Sequence, residues 1–295
     1  MNPTHADDTT AARPAPPGSG AVMSARPVTP VIGAEVSGID LAGPLSSDQV
    51  AELRRLLAEH KVLFFRDQAL GPDSQLALGR RLGVILSFPG VNEEHPDHPG
   101  LQIVGSWRPP ARRPDGGRFT GGWHIDASGL IAAPFASILR AVRIPPVGGD
   151  TVWANLAAAY DGLSDELRAQ LDGLYVTDDV TGHFRERGID YPLIARPLVT
   201  THPETGEQVL HVNFQQHPQV VGWSQDRSAE LLTKLKEEAT RPEYQVRFSW
   251  SLGAVAIWDN RAVHHSAVRD YGDFPRRMER VLVVENTKPF IEELL

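Results

Sequence analysis

Apolar and polar residues recur along the chain with two different periods. In "SSDQVAELRRLLAEH" the apolar residues are three and four positions apart, which predicts an amphipathic helix with Ser47 as its N-cap. The same spacing predicts a second helix in "DSQLALGRRLG", ended by Gly83. Two further helices are predicted in "LSDELRAQLDGL" and "SQDRSAELLTKLKEE".

From residue 135 onward most segments are short, rich in β-branched or aromatic residues and separated by turn residues, which is typical of strands. The predicted strands are "FASILRAVRI", "TVWANL", "QVLHVNF", "YQVRFSW", "GAVAIWDN" and "MERVLVVEN". Residues 87–118 are dense in Pro, Gly, His and Arg, and we expect loops there. Many short strands with a few flanking helices predict a mostly β (α+β) double-sheet fold, a jelly roll.

The N-terminal residues differ in composition from the rest of the chain. Residues 1–25 are rich in Pro, Ala, Gly, Ser and Thr and have little to bury, so we expect a disordered tail followed by one domain over residues 26–295. This segment lacks the basic start and continuous apolar region of a secretory signal. No apolar run reaches the length of about 18 residues that could span a membrane. We therefore expect a cytoplasmic protein that does not enter membranes.

Charge and cysteine usage narrow the possible chemistry. A formal net charge of −8 and a pI near 5.8 argue against a general nucleic-acid binder, which needs a basic surface. The chain has no cysteine, so disulfides, thiolate metal sites and cysteine nucleophiles are excluded. Any transition metal must be held by imidazole and carboxylate, which suits iron, manganese or zinc.

Four histidines are followed two positions later by an acidic residue, where one or two such pairs are expected by chance. One pair lies in the tail, and the pairs that begin at His95 and His202 contain a proline in a turn-like context. Only His124 and Asp126, in "GGWHIDASG", lie at the start of an expected strand, where residues i and i+2 share a face. The two side chains could bind one ion there, or they could be ordinary polar residues at a strand end.

A metal held by two protein ligands would bind poorly, so a third ligand should exist. "AIWDNRAVHHSAV" offers His264 and His265, of which at most one can face the metal because adjacent strand residues point in opposite directions. A solvated strand edge is the alternative interpretation. Further on, "RRMER" places Arg276 and Arg280 on one face of a strand, where guanidinium groups could bind a carboxylate. A surface basic strip paired with nearby acidic residues is the alternative there.

In this order and spacing, five segments together resemble the taurine dioxygenase family of Fe(II)- and 2-oxoglutarate-dependent dioxygenases. They are "WHIDAS", "PPVGGDTVWANLAAAYDGLSDEL", "HPETGEQVL", "GAVAIWDNRAVHHSAV" and "RRMERV". The resemblance covers the chain from about residue 26 and implies a double-stranded β-helix (jelly roll) with the active site inside one end. It implies an oxidoreductase that uses Fe(II) as cofactor and 2-oxoglutarate and O₂ as co-substrates, and that oxidises an unactivated C–H of a small molecule with release of succinate and CO₂. Members of the family often form homodimers or homotetramers.

The resemblance also implies roles for single residues. His124 and Asp126 correspond to the first two iron ligands, and the histidine four positions after the arginine of "WDNR" is the third, which selects His265. Thr151 and Arg276 correspond to residues that bind the distal carboxylate of 2-oxoglutarate.

The substrate is less closely defined by the resemblance. Arg280 corresponds to a position that contacts the anionic group in sulfonate-using members. Phe88 and Thr120 stand where taurine-specific members carry a histidine and an asparagine, so polar contacts to a small amine are lost. We therefore hypothesise a larger, largely apolar organic acid, with Phe88, Thr120, Phe119 and the loop 182–196 around it.

The sequence is compatible with several substrates and with two other classes of protein. The substrate could be an intermediate of specialised metabolism, such as a terpenoid antibiotic precursor, which would place the enzyme in antibiotic biosynthesis. Within the same family, an alkyl sulfate, a sulfonate or a phenoxyalkanoate is the alternative substrate. From another class, the chain could be a non-redox jelly roll that binds a metal, or a zinc hydrolase.

Overall fold

The computed structural model describes residues 22–87, 93–105 and 122–285. The first strand covers Ser24–Pro27, so it begins two residues before the predicted start of the domain. Its pairing with the next strand brings Ser24 and Ala25 into the main sheet. The predicted disorder of residues 1–21 concerns a segment outside the described residues.

The strands occur along the whole described chain. They are β1 (Ser24–Pro27), β2 (Ala34–Ser37), β3 (Val62–Phe65), β4 (Val84–Ile85), β5 (Glu93–His95), β6 (His98–Val104), β7 (Ala136–Arg143), β8 (Thr151–Asn155), β9 (Tyr175–Asp178), β10 (Ile194–Pro197), β11 (Val199–Thr201), β12 (Gln208–Leu210), β13 (Gln245–Phe248), β14 (Val255–Asp259), β15 (Val263–Ala267) and β16 (Arg277–Val284).

The helices are fewer and flank the strands. They are α1 (Ser47–His60), α2 (Pro72–Leu82), α3 (Leu156–Asp161), α4 (Asp165–Leu171), α5 (Thr181–Arg185) and α6 (Gln225–Ala239). Among these described helices, none has the length and apolar character needed to cross a bilayer.

The strands form two main sheets. The larger has the order β1-β2-β3-β14-β7-β16-β6-β5, with β4 added beside β16, and the smaller has the order β13-β8-β15. The β2–β3 pair is parallel and the other pairings of these sheets are antiparallel. The strands β9–β10 and β11–β12 form two further two-stranded sheets. This is the double-sheet architecture that the sequence predicts.

The large sheet is covered on both faces. On β3, Leu63 and Phe65 pack in a cluster with α1 and α2, whereas Val62 and Phe64 belong to the cluster between the two sheets. Because both faces of β3 are buried, its sequence is a continuous apolar run and does not alternate between apolar and polar residues. The ring of Phe64 stacks on Phe248 of the smaller sheet with 4.2 Å between centroids, which joins the two sheets.

The start of α1 differs from the prediction by one residue. Ser46, and not Ser47, is the N-cap: its hydroxyl accepts from Gln49 N at 3.2 Å, and Gln49 Oε1 accepts from Ser46 N at 2.9 Å. This reciprocal capping box needs Ser and Gln three positions apart. The sequence contains that signal as "SSDQ". Only Ser46 lies three positions before Gln49, so the capping-box pattern identifies Ser46 as the N-cap.

Three segments predicted as loops or strands contain other elements. The proline- and glycine-rich stretch 87–118 was expected to be loops, but strands β5 and β6 form a hairpin within its described part. The helix α3 directly follows β8, where Asn155 caps it by accepting from Ala157 N at 2.9 Å. The short helix α5 extends from Thr181 into the loop expected over 182–196. Local composition did not indicate these elements, because their formation depends on strand pairing and on capping hydrogen bonds.

Candidate metal centre and co-substrate pocket

His124 and His265 lie side by side because their backbones pair. The N–H of His124 donates to the carbonyl of His265 at 3.0 Å, and the reverse bond is 2.9 Å long. Their imidazole centroids are 4.1 Å apart. On its other side β15 pairs with β8, which holds His265 opposite Trp153. Backbone register therefore brings together two histidines that are distant in sequence.

Asp126 reaches the same point from a turn, so the prediction that it lies on a strand was wrong. Extended pairing ends at His124, and residues 126–129 form a turn in which Ala127 has a φ of 48°. Asp126 Oδ1 lies 3.6 Å from His124 Nε2 and 3.8 Å from His265 Nε2. The three ligand atoms all lie within 4.8 Å of one another, close enough to bind one metal ion.

The surroundings keep Asp126 ionised and His265 neutral. Burial by itself would raise the pKa of the Asp126 carboxyl, but the neighbouring Arg280 guanidinium holds that pKa well below its usual range. Burial lowers the pKa of His265 well below its usual value, so the ring has a nitrogen lone pair at neutral pH. Two imidazoles and one carboxylate are the donor set of a non-haem Fe(II) facial triad.

The imidazole of His124 is oriented by a backbone carbonyl. Its Nδ1 lies 2.9 Å from the oxygen of Gly122. Because a carbonyl can only accept, Nδ1 carries the proton and Nε2 keeps its lone pair on the side of Asp126. A hydrogen bond from the second ring nitrogen to a carbonyl is the usual support of a metal-binding histidine.

His264 points to the other side of β15, as strand alternation requires. Its Nε2 lies 3.1 Å from the carbonyl oxygen of Ala239 at the end of α6, and its ring packs against Trp123 with centroids 4.5 Å apart. Burial lowers the pKa of His264 to about 3. His264 is therefore a neutral core residue, and the alternative of a solvated edge for the histidine pair does not hold.

A buried network fixes the turn between β14 and β15. Asp259 accepts from His202 Nε2 at 3.0 Å and from Arg261 Nε at 2.9 Å. The other ring nitrogen of His202 accepts from the backbone N–H groups of Glu204 and Thr205 at 3.3 and 3.2 Å, so Nε2 must be the donor to Asp259. The His202–Glu204 pair of the sequence is therefore part of this support for β15.

We expect Asp259→Asn to lower the free energy of unfolding at pH 7 by about 3 kcal/mol, because it leaves the buried partners of the carboxylate unmatched. Burial raises the pKa of Asp259, but the hydrogen bonds from Arg261 and His202 outweigh it and hold the pKa below its usual value. Such a carboxylate stabilises the fold above its unfolded pKa of about 4, and this contribution is lost as the pH falls below that value.

Urea unfolding at decreasing pH measures this effect. The difference between wild type and Asp259→Asn should narrow below about pH 4. Asp165→Asn is the control, because that side chain is 94% exposed and its substitution should cost less than about 0.5 kcal/mol. A difference that stays constant across the acid range would contradict the role of the Asp259 carboxylate.

A buried guanidinium faces the same cavity as the three metal-ligand candidates. Arg276 is 4% exposed, and within the described residues its Nε and Nη2 atoms have no hydrogen-bond partner. Thr151 lies in the same cavity wall, and its Oγ1 accepts from Trp250 Nε1 at 3.0 Å, which leaves its hydroxyl hydrogen for another acceptor. Because an unpaired buried cation is costly, this pocket fits an anionic oxygen group.

Arg280 lies against the metal-ligand cluster itself. It faces Gln102 across the β16–β6 pair, and Gln102 Oε1 accepts from its Nε and Nη2 at 3.0 and 2.8 Å. Its Nη1 donates to Asp126 Oδ1. Arg276 and Arg280 are both buried, so the alternative of a surface basic strip is wrong for them.

One cavity of about 330 Å³ connects the cluster with the two arginines, a volume typical of small-molecule sites. From the loop predicted around the substrate, His183 and Phe184 of α5 reach its wall. Other wall residues that sequence reasoning did not single out are Val104, Ile125, Ala127, Leu130, Leu139, Val180, Asn213, Gln215, Gln216, Trp258, Ala267 and Arg269. Three residues predicted to line the substrate pocket, Phe88, Phe119 and Thr120, lie outside the described residues.

Two imidazoles and a carboxylate share a jelly-roll cavity with a buried arginine, two of whose nitrogen atoms have no partner among the described residues. This set matches the needs of an iron oxygenase that consumes a 2-oxo acid. Comparison with known proteins supports the same class of enzyme. Residues 24–282 match the family described as taurine catabolism dioxygenase TauD, TfdA family, and the chain belongs to this family.

Its relatives share most of its length. An alpha-ketoglutarate-dependent sulfate ester dioxygenase from Pseudomonas putida is 36% identical over 88% of this chain and 88% of its own. An alpha-ketoglutarate-dependent 2,4-dichlorophenoxyacetate dioxygenase from Cupriavidus pinatubonensis is 32% identical over 89% of this chain and 98% of its own. The crystal structure of a taurine dioxygenase from Burkholderia xenovorans has a TM-score of 0.77 and 39% identity, with 90% of each chain covered.

Family membership identifies the enzyme class. The chain is a 2-oxoglutarate-dependent dioxygenase, an oxidoreductase that uses Fe(II) as cofactor, 2-oxoglutarate and O₂ as co-substrates and a small molecule as substrate. The donor set of the cluster fits Fe(II), and the orphaned guanidinium nitrogens fit the distal carboxylate of 2-oxoglutarate. The jelly roll and the dioxygenase class are confirmed, and the zinc-hydrolase and non-redox alternatives are not supported.

Proposed function

We propose that His124, Asp126 and His265 bind Fe(II) and that Arg276 and Thr151 bind the distal carboxylate of 2-oxoglutarate. The observation that carries this assignment is the Arg276 guanidinium, whose Nε and Nη2 have no partner in the described part of the chain. It lies in the same cavity as three ligand atoms within 4.8 Å of one another. When bound, the iron couples reduction of O₂ and decarboxylation of 2-oxoglutarate, to succinate and CO₂, with oxidation of a substrate C–H by hydroxylation, desaturation or further oxidation.

The preferred substrate is a small organic anion with a largely apolar body. Arg280 supplies the cation for its anionic group, and Leu130, Leu139 and Phe184 supply apolar wall around it. Since Arg280 contacts Asp126, an anion on Arg280 would bring the neighbouring carbon close to the metal ligands. Oxidation would then occur near the anionic end of the molecule.

An apolar carboxylic acid is the first candidate and an alkyl sulfate the second. The sulfate candidate is favoured by the sulfate ester dioxygenase among the relatives and by the buried guanidinium, which binds sulfate oxygens as well as carboxylate. Hydroxylation of the carbon that carries the ester oxygen would give an unstable product, which would break down to an aldehyde and free sulfate. A phenoxyalkanoate would be bound through its carboxylate, as the apolar acid would be.

The biological setting stays a prediction. An intermediate of specialised metabolism, such as a terpenoid antibiotic precursor, would satisfy the same requirements for an acid group and an apolar body. A cytoplasmic location and a homodimeric or homotetrameric assembly are likewise predictions from the sequence.

A panel of paired substrates tests the class of substrate. Medium-chain alkyl sulfates, phenoxyacetate, apolar acids and taurine would each be compared with a neutral alcohol or ester analogue, by succinate formation above the substrate-free rate. We expect anions with an apolar body to exceed their neutral partners by at least about 30-fold in kcat/KM, the equivalent of about 2 kcal/mol. Equal rates for the neutral partners would reject the anion site, and efficient turnover of taurine would reject the apolar pocket.

The substitution Arg280→Lys tests whether the substrate anion is bound by the shape of the guanidinium group or only by its positive charge. Lysine keeps a positive charge beside Asp126 but loses the fork that bonds to Gln102 and the substrate. We expect KM for the preferred anion to rise about 10-fold, the equivalent of about 1.4 kcal/mol, with little change in the affinity for 2-oxoglutarate. Anaerobic 2-oxoglutarate titration and steady-state kinetics measure the two quantities. An unchanged KM would exclude Arg280 as the anion-binding residue.

A further inference from the structure

Asp126 is bound on two sides by different kinds of group. Its Oδ1 faces the two imidazoles, as described above, whereas its Oδ2 accepts from the hydroxyl of Ser137 at 2.7 Å. Ser137 lies on β7 and is fully buried. Oδ1 also accepts from Arg280 Nη1. The carboxylate therefore has Oδ1 toward the imidazoles and Arg280, and Oδ2 toward Ser137.

A chain of hydrogen bonds continues behind Ser137. Asn260 Nδ2 donates to Ser137 Oγ at 2.9 Å, and Trp258 Nε1 donates to Asn260 Oδ1 at 2.9 Å. Strand register produces the arrangement, because Trp258 of β14 pairs directly with Ser137 of β7. All four side chains of the chain are at most 2% exposed.

The direction of this chain is determined by chemistry. An indole N–H can only donate, so the oxygen of the Asn260 amide must face Trp258 and the NH₂ must face Ser137. Ser137 Oγ accepts that bond, so its single hydrogen is left for Asp126. Every donor therefore points toward the Asp126 carboxylate, and the sequence Trp258, Asn260, Ser137 ends on its Oδ2.

We propose that Ser137, oriented by Asn260 and Trp258, is a positioning residue that holds Oδ2 of Asp126 away from the metal, so that Asp126 binds through Oδ1 alone. The inference rests on the proposed metal ligands. A carboxylate that bound through both oxygens would take a coordination position that 2-oxoglutarate or O₂ needs, because three protein atoms leave three positions on an octahedral ion. Ser137 thereby preserves the open positions without touching the substrate.

Metal binding in the absence of turnover tests the proposal. Purified wild type, Ser137→Ala, Ser137→Thr and Ser228→Ala would be titrated anaerobically with Co(II), whose visible bands report coordination number. Ser228→Ala is the matched control, because Ser228 is also buried, at 1% exposure, but bonds to Gln219 and Val220 instead of the metal-ligand cluster. We expect the Co(II) bands of Ser137→Ala to report an additional ligand atom, because Oδ2 of Asp126 is then free to bind the metal as well. Ser137→Thr keeps the hydroxyl and should restore the wild-type spectrum.

Asn260→Asp adds a test that does not remove the serine. Aspartate would accept from both Trp258 and Ser137, so the serine hydrogen would turn away from Asp126 and expose Oδ2 to a lone pair. Added negative charge alone would strengthen cation binding and leave the number of ligand atoms unchanged, whereas reversal of the hydrogen bond should alter the Co(II) bands as Ser137→Ala does. The bands therefore separate the two effects.

Each outcome has a distinct meaning. If wild type binds no Co(II), the proposed metal site fails and the inference fails with it. If wild type and Ser228→Ala bind alike and Ser137→Ala shows the same bands, the metal site stands and the positioning role is rejected. Should Ser137→Ala not fold, unchanged bands in Asn260→Asp would reject the proposal and altered bands would support it.

Discussion

Replacing His265 by alanine should abolish Fe(II) binding, whereas replacing its neighbour His264 should leave the metal site intact. His265 Nε2 faces Asp126 Oδ1 at 3.8 Å, but His264 lies on the opposite side of β15 and bonds to Ala239. Loss of an outer-shell partner costs a metal site about 10- to 100-fold in affinity, so loss of a ligand should exceed about 100-fold.

An anaerobic titration with Fe(II) and then 2-oxoglutarate measures this difference. The visible charge-transfer band of the iron chelate should appear in wild type and in His264→Ala and be absent in His265→Ala. The comparison is demanding because both side chains are buried and adjacent in sequence, so a general loss of packing affects both variants. Thermal melts of the metal-free proteins show that the variants are folded. A band in His265→Ala would remove this residue from the proposed triad.

Arg276→Gln should weaken 2-oxoglutarate binding by at least about 30-fold, the equivalent of about 2 kcal/mol for the loss of one partner of a buried charge pair. The physical reason is the position of the guanidinium, which is buried and has two nitrogen atoms unpaired within the described part of the chain. A neutral amide keeps some hydrogen-bonding capacity but loses the charge and the fork-shaped geometry that suit a carboxylate.

Arg277→Gln is the matched control, because it removes the same charge one position along the chain. Arg277 donates to Glu279 Oε1 at 2.6 Å and does not line the cavity. The charge-transfer band, followed as 2-oxoglutarate is added, gives the dissociation constant of each variant directly. Equal weakening in both variants would mean that overall charge, and not a contact of Arg276, controls the affinity. Fe(II) affinity without 2-oxoglutarate should be unchanged in both.

Residue types and their order along the chain, compared with the family pattern, predicted which side chains lie together at the site. His124, Asp126 and His265 lie in one cluster, and Arg276 and Thr151 line the same cavity, as the family resemblance implied. These residues could be found because reactive side chains are constrained in identity and in order along the chain, whatever the exact backbone path. Asp126 illustrates this: it reaches the cluster from a turn, although a strand was predicted.

The residues that hold Asp126 and Arg280 in place could not be predicted from residue types and their order. Gln102 of β6 contacts Arg280 of β16, and Ser137 of β7 contacts Asp126. Strand register decides which of these side chains meet. A shift of one residue would turn each of these side chains to the other face of its sheet. Nothing in "ASILR" or "LQIV" distinguishes Ser137 or Gln102 from an ordinary polar residue in a strand.

The amino-acid sequence by itself determined the fold class, through the alternation and clustering of apolar residues, and the set of chemical groups available to a metal and a 2-oxo acid. Strand alternation limited the metal-facing histidine to one of two, and the family resemblance selected His265. Only the tertiary structure decided which arginines are buried and which side chains orient the carboxylate. The reason is that these properties depend on distances between segments far apart in the chain. Those distances are set by sheet register and packing, which no local pattern encodes.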